Sequence, residues 1–188
     1  MYLKGVKDSL KNINNEFQKE CKNAVDRSHH ISLSRLKPGE AAPAPGFLTP
    51  EIQEELRASV GRLANRAQAV LEDALREVRE AKAEAPSTEA VNAITMLRGN
   101  KHVSESELNA LMEVYGDNYL THKAICDLAR EHNATLFPPH PAQGLEEGLV
   151  NLSRIYRRDL TIYEADKMAS STWRKSVMDA DVDENLPG

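Results

Sequence analysis

At 188 residues the chain has room for one domain or two small ones, and its 3 Phe and single Trp exclude a large aromatic core in favour of a thin one built on Ala, Leu and Val. A formal net charge of −5 excludes the generic basic surface that releases phosphate counterions on nucleic acid. No apolar run approaches the roughly 20 residues that span a bilayer, and Met1-Tyr2-Leu3-Lys4-Gly5 lacks the apolar stretch of a signal peptide.

The charge is unevenly spread. Residues 1–37 hold 8 basic and 4 acidic side chains, residues 38–100 hold 7 and 10, and residues 101–188 hold 9 and 15. A basic N-terminal part on an acidic body suits an acidic partner, neighbouring copies of the chain, or simply a solvated helix. Cys21 and Cys126 make neither a disulfide framework nor a zinc motif and suit a reducing compartment.

In chain order, Leu3, Val6, Leu10, Ile13 and Phe17 recur at helical spacing and predict an amphipathic helix running to about residue 25. The stripe weakens at Glu20. Asn12, Asn14 and Asn15 lower the helix propensity, so this helix needs a partner surface. Three prolines and two glycines in residues 37–48 then predict a semi-rigid linker.

The strongest signal follows. Thr49 is a good N-cap, Pro50 suits the first helical position, and Glu51, Glu54 and Glu55 complement the helix dipole. Ile52, Leu56, Val60, Leu63, Ala67, Val70, Ala74 and Val78 form one stripe, and a helix over residues 49–83 spans roughly 50 Å. So long an element with so narrow a stripe pairs with other helices more readily than it frames a compact active site.

Ala85-Pro86 stops this helix. Ser87 or Thr88 caps a short helix carrying Val91, Ile94 and Leu97, ending at Gly99. Ser104 and Glu107 form a capping box that opens a second, with Leu108, Leu111, Met112 and Tyr115, closed by Gly116. Asn118 caps a third, carrying Leu120, Ala124, Ile125 and Leu128 and ending near Asn133. Short connections and agreeing boundary signals predict a small bundle. After the break at Phe137-Pro138-Pro139-His140-Pro141, a long helix over residues 143–171 carries Leu145, Leu149, Leu152, Tyr156, Leu160, Tyr163 and Lys167. The acidic end, with Asp179, Asp181, Asp183 and Glu184, reads as disordered until a partner orders it.

Few constellations point to chemistry. His122 and Cys126 share a helix face and suit half a metal site or a thiol with its base, against which stands a buried structural thiol. His29-His30 is a weak metal pair in a loop, and His132 and His140 flank loops without a carboxylate at metal-site spacing. Arg154, Arg157 and Arg158 cluster on one helix face near Tyr156 and Tyr163, with Trp173-Arg174-Lys175 downstream, as in a phosphate-binding or acidic-partner patch. Asp159, Glu164 and Asp166 interleave with them and favour a salt-bridged face. Residues 104–133 also suit a helix-turn-helix, but only Lys123 and Arg130 are basic in its second helix, against Asp127 and Glu131. No Walker loop, GxGxxG or HExxH occurs.

Leu48-Thr49-Pro50-Glu51-Ile52 opening a charged, Ala-rich helix, the run Ser104-Glu105-Ser106-Glu107-Leu108-Asn109-Ala110-Leu111, the Pro/Ala linker and the acidic tail together resemble the small helical structural and assembly proteins of tailed bacteriophages and their prophages. The resemblance covers about residues 49–133, contains no diagnostic motif and carries over no functional residue. It implies a non-enzymatic role in a virion or its assembly, as scaffold, head-associated or accessory protein.

The expected protein is therefore all-α, with two long helices, a small central helical bundle and an N-terminal helical arm. Its parts are an arm over residues 1–36, a linker over 37–48, a long helix plus three-helix bundle over 49–136, a C-terminal long helix over 143–175 and an acidic tail over 176–188. It is read as a structural or assembly protein without catalytic, metal or cofactor residues. Its partners are itself and other proteins of an assembly, with no membrane and no expected nucleic acid, in the bacterial cytoplasm during assembly or in the virion. The residues expected to meet partners are Leu3, Val6, Leu10, Ile13, Phe17, Leu56, Val60, Leu63, Arg154, Arg157 and Arg158. The alternative is a helix-turn-helix DNA-binding regulator using residues 104–133.

Overall fold

The computed structural model describes residues 2–42, 48–135, 137–161 and 171–186, with the side chains of 2–4, 159, 161 and 171–173 excepted. The described residues are all-helical and contain no strand. Seven helices follow one another: α1 Tyr2–Arg35, α2 Pro50–Ala83, α3 Thr88–Arg98, α4 Glu105–Tyr115, α5 Tyr119–Glu131, α6 Pro141–Thr161 and α7 Ser171–Asn185. No described helix is long and apolar enough to cross a membrane. The chain divides into two compact units, Met1–Ala74 with Gly148–Gly188, and Leu75–Glu147. The division thus falls inside α2 and inside α6, not at the linker.

In the first unit, α1 runs ten residues beyond the expected end. Cys21, Ala24 and Ser28 continue its buried face past Glu20, and small side chains there allow close packing. The cross-contacts fix its partners. Glu16 meets Arg66, Glu20 meets Ser59, Arg27 meets Glu55 and Ser28 meets Thr49, so α1 and α2 are antiparallel. Thr49 caps α2 as expected, accepting from the Ile52 amide, while the Ser28 hydroxyl accepts from the buried Thr49 amide.

The α2 stripe follows Ile52, Leu56, Val60, Leu63, Ala67, Leu71, Ala74 and Val78, all buried. Leu71, not Val70, takes the inward position; Val70 is half-buried one residue round the helix. Leu149, Leu152, Tyr156 and Leu160 of α6 are buried as expected. Tyr163 and Lys167 lie outside the described residues.

The acidic end corrects the expectation of disorder. Residues 176–185 belong to α7, whose Met178 and Val182 are fully covered, as is Leu186 just beyond its end. Lys7 and Lys11 both pair with Asp183 at 2.8 Å, and Asn14 donates to Asp179 at 2.7 Å. The basic part of the chain thus meets the chain's own acidic part, antiparallel along α1. Residues 1–36 are in consequence part of a bundle and not a detached arm. In the linker, residues 37–42 are turn and exposed coil, and Leu48 is already buried; residues 43–47 lie outside the described residues.

The second unit matches its boundary signals closely. Ser87 caps α3, accepting from the Ala90 amide. Ser104 and Glu107 make both halves of the capping box on α4, and Asn118 caps α5. Ile94, Leu108, Leu111, Ile125, Leu128 and Ala129 form the core, with Leu97, Val103, Met112 and Phe137 against it. Gly116 is right-handed (φ −69°), and a Cβ there would strike the Met112 carbonyl, so close approach explains that glycine. The left-handed position falls instead on Asn133, φ 52°.

Candidate functional site

The stretch Tyr119-Leu120-Thr121-His122-Lys123-Ala124-Ile125-Cys126 folds as α5 with Thr121 and Ile125 inward. That register turns Tyr119, His122 and Cys126 toward the side where residues 137–141 pass. A cleft of about 380 Å³ results, lined by Tyr119, His122, Lys123, Cys126, Arg130, Phe137, Pro139, His140 and Gln143. It is the one place among the described residues where the sequence-predicted His122–Cys126 pair is joined by further titratable groups.

Cys126 Sγ lies 3.5 Å from His122 Nδ1. Burial pushes the Cys126 thiol up, with Arg130 pulling it back and Asp127 adding to the rise, so the thiol is held in its protonated form. Burial holds His122 below the usual imidazole range, and neighbouring His140 adds to this; a hydrogen bond to the Pro138 carbonyl opposes it. The direction of the contact between Cys126 Sγ and His122 Nδ1 follows the tautomer of the imidazole.

His140 stands at the start of α6. Its Nδ1 accepts from the Ala142 amide at 3.1 Å and its Nε2 donates to the Asp117 carbonyl at 3.0 Å. The His122 and His140 rings meet edge to face with centroids 5.2 Å apart, and Tyr119 meets His140 likewise at 5.5 Å. Lys82 lies 5.1 Å over the Tyr119 ring and pairs with Glu146, which also pairs with Arg79.

This arrangement fastens a Pro-rich segment to a helix. A nucleophilic thiol needs a lowered pKa, and here it is raised. Both ring nitrogens of His140 are hydrogen-bonded, and no group of three metal-holding side chains exists among the described residues. His140 was read from the sequence only as flanking a loop; its place at the start of α6 was signalled by Pro141, since proline at the first helical position makes the preceding residue the cap.

The remaining candidates separate. Val6, Leu10, Ile13, Phe17, Leu56, Val60 and Leu63 are buried within their own chain, each under 8 % exposed, so they cannot meet a partner in this state. The reason is that the α1 and α2 stripes cover each other, with α6 and α7 closing the unit. The Leu3 side chain lies outside the described residues. Arg154, Arg157 and Arg158 are exposed on α6, and Arg154 donates to Asn151. Asp159, Tyr163, Glu164, Asp166 and Trp173, invoked around that cluster, lie outside the described residues or side chains. His29 and His30 are exposed within helix α1 and not in a loop, so their side chains diverge. His132 caps the end of α5.

One further feature was not read from the sequence. On the second unit Met96 is 74 % exposed and Val114 67 %, with Val91 and Leu120 also well exposed. Isolated exposed apolar residues are ordinary, but these sit on three short helices of one small bundle. No protein-family model, curated protein or solved structure matches the chain.

Proposed function

We propose that the chain is a helical structural or assembly protein that works by binding other proteins, copies of itself included. The observation that carries this is the exposed apolar surface of the second unit, where Met96 and Val114 face outward most strongly, with Val91 and Leu120; on the first unit Leu33 and Val150 are exposed to a lesser degree than Met96 and Val114. The resemblance of residues 48–52 and 104–111 to phage structural and assembly proteins makes a virion or its assembly the setting. The binding surface moves, relative to the sequence expectation, from the α1 and α2 stripes to the second unit.

The helix-turn-helix reading has the short turn between α4 and α5 in its favour. Against it, Tyr119 and His122 of the would-be recognition helix face the residues 137–141 segment, which leaves Leu120, Lys123, Arg130 and the acidic Glu131 exposed on α5. Sedimentation velocity over a concentration series tests the proposal. Association that rises with concentration in the wild type and is lost in Met96→Asp/Val114→Asp supports it. A wild type that remains monomeric throughout, or a double variant that associates equally, counts against it.

A further inference from the structure

The fastening of residues 137–141 on α5 leaves an open cleft of about 380 Å³, the size of a small-molecule site. Its walls are held in place before any ligand arrives. Phe137 packs against the core of the second unit. Both ring nitrogens of His140 are hydrogen-bonded, one to the Ala142 amide and one to the Asp117 carbonyl. Tyr119 is held from two directions, by the His140 ring at 5.5 Å and by Lys82 at 5.1 Å. A ligand therefore meets surfaces that are already positioned, and little ordering opposes its binding.

The lining combines two characters. Tyr119, His122, Phe137, Pro139 and His140 are all rings, and they are five of the nine lining residues. Ring faces and edges favour a flat, aromatic body over a branched one. The second character is charge. Lys123 and Arg130 line the cleft and no carboxylate does. They stand two turns apart along one side of α5, about 10 Å on its axis. Arg130 is shared with Asp127, to which it donates at 2.7 Å. Lys123 is exposed and makes no ion pair or side-chain hydrogen bond among the described residues, and the side-chain amide of Gln143 is likewise uncommitted. In a chain of formal net charge −5, a free ammonium beside five rings, with no acid in the lining, suits a ligand that brings the acid itself.

We propose that this cleft binds a small aromatic carboxylate, its ring against the Tyr119, Phe137 and Pro139 side of the lining and its carboxylate on Lys123, with Gln143 as a further donor. One free cation matches one negative charge. A phosphate monoester, with close to two, would need Arg130 as well, and Asp127 already holds Arg130. The thiol of Cys126, held protonated, contributes surface and no covalent bond.

The test is an NMR titration of the full chain with benzoate, benzamidine and acetate. Benzoate and benzamidine share a ring and differ in the sign of their charge, whereas acetate keeps the carboxylate and lacks the ring. Benzoate shifts the amides of His122, Lys123, Cys126 and Gln143 saturably, with a Kd of about 1 mM or tighter for so small a ligand. Benzamidine and acetate bind about ten-fold more weakly or not at all. Lys123→Gln weakens benzoate by about ten-fold, and Lys123→Glu turns the preference toward benzamidine. Lys123 is exposed, so both substitutions leave the core untouched. Equal shifts from benzoate and benzamidine, benzoate shifts that grow without saturating, or benzoate binding that survives Lys123→Gln overturn the proposal.

Discussion

The two compact units reach order by different routes. In the second unit each helix is short and announces its own ends: Ser87, Ser104 with Glu107, and Asn118 all cap as their sequence context demands. In the first unit the helices are long, and what defines them is pairing across great sequence distance. Lys7 meets Asp183, Asn14 meets both Asp179 and Tyr156, and Gln68 meets Ser153. Local signals therefore suffice to draw the second unit, whereas the first is held by contacts that no local signal can specify.

The contrast can be broken first in the core of the first unit. Leu56→Asp or Leu63→Asp puts a charge where the side chain is 3 % or 5 % exposed, and the cost is several kcal/mol in a dry site. Glu72→Ala, on the exposed side of the same helix, changes stability by less than about 0.5 kcal/mol. Denaturant melts compare them, and equal effects would mean that the stripe is not the packing face.

A glycine pair gives the next largest effect. A Cβ at Gly148 would strike the Asn185 carbonyl, whereas one at Gly144 meets nothing within 4 Å. Gly148→Ala should destabilise by about 1–3 kcal/mol, because backbone cannot step aside as a flexible side chain can. Gly144→Ala should be neutral or stabilise by up to about 1 kcal/mol through helix propensity. The two substitutions are chemically identical, so opposite signs in thermal melts isolate the α6–α7 approach.

The buried polar network of the first unit comes third. Tyr156 donates to Asn14 Oδ1 at 2.7 Å, and its hydroxyl is pushed far above the usual phenol range, chiefly by burial. Tyr156→Phe should cost about 1 kcal/mol in urea unfolding, the net worth of one such hydrogen bond. In the second unit, Ser104→Ala should cost a similar amount, about 1 kcal/mol, by removing one half of the capping box. A loss confined to the exchange protection of the first turn of α4 would show how local that signal is.

The smallest effect is electrostatic. Hydrogen bonds from Lys11 and then Lys7 hold the Asp183 carboxylate below its usual range. The unfolded state therefore takes up the proton first. The pair's contribution is present above the usual carboxylate value of 3.8 and is lost as pH falls through the depressed value. Both partners are partly exposed, so salt should screen it. An NMR titration of Asp183 that returns toward 3.8 in Lys7→Ala/Lys11→Ala checks the cause.

Much of the fold was legible in single residues. Thr49 with Pro50, the Ser104 box and Asn118 mark helix starts because capping is a short-range event. The end of α1 was not legible, because Cys21, Ala24 and Ser28 look polar or weak until α2 packs on them. Nor was α7: Asp179, Asp181 and Asp183 suggest a solvated tail, and only the pairing with Lys7, Lys11 and Asn14 makes Met178 and Val182 a buried seam. Stripes also do not say what covers them. Leu10 and Leu56 were read as partner-facing and are covered at home. At the cleft, the His122–Cys126 spacing was visible, but His140 arrives from another segment and changes the pair from a candidate site into a fastening.

The central claim is that the seam of long helices is closed within the chain and that partners meet the second unit. Carbene footprinting of the intact protein, dilute and concentrated, tests it directly. Met96 and Val114 should label strongly when dilute and become protected on concentration, with Leu10, Phe17, Leu56 and Val60 unlabelled throughout. Strong labelling of those four when dilute, and their protection when concentrated, would contradict the account and return the interface to α1 and α2.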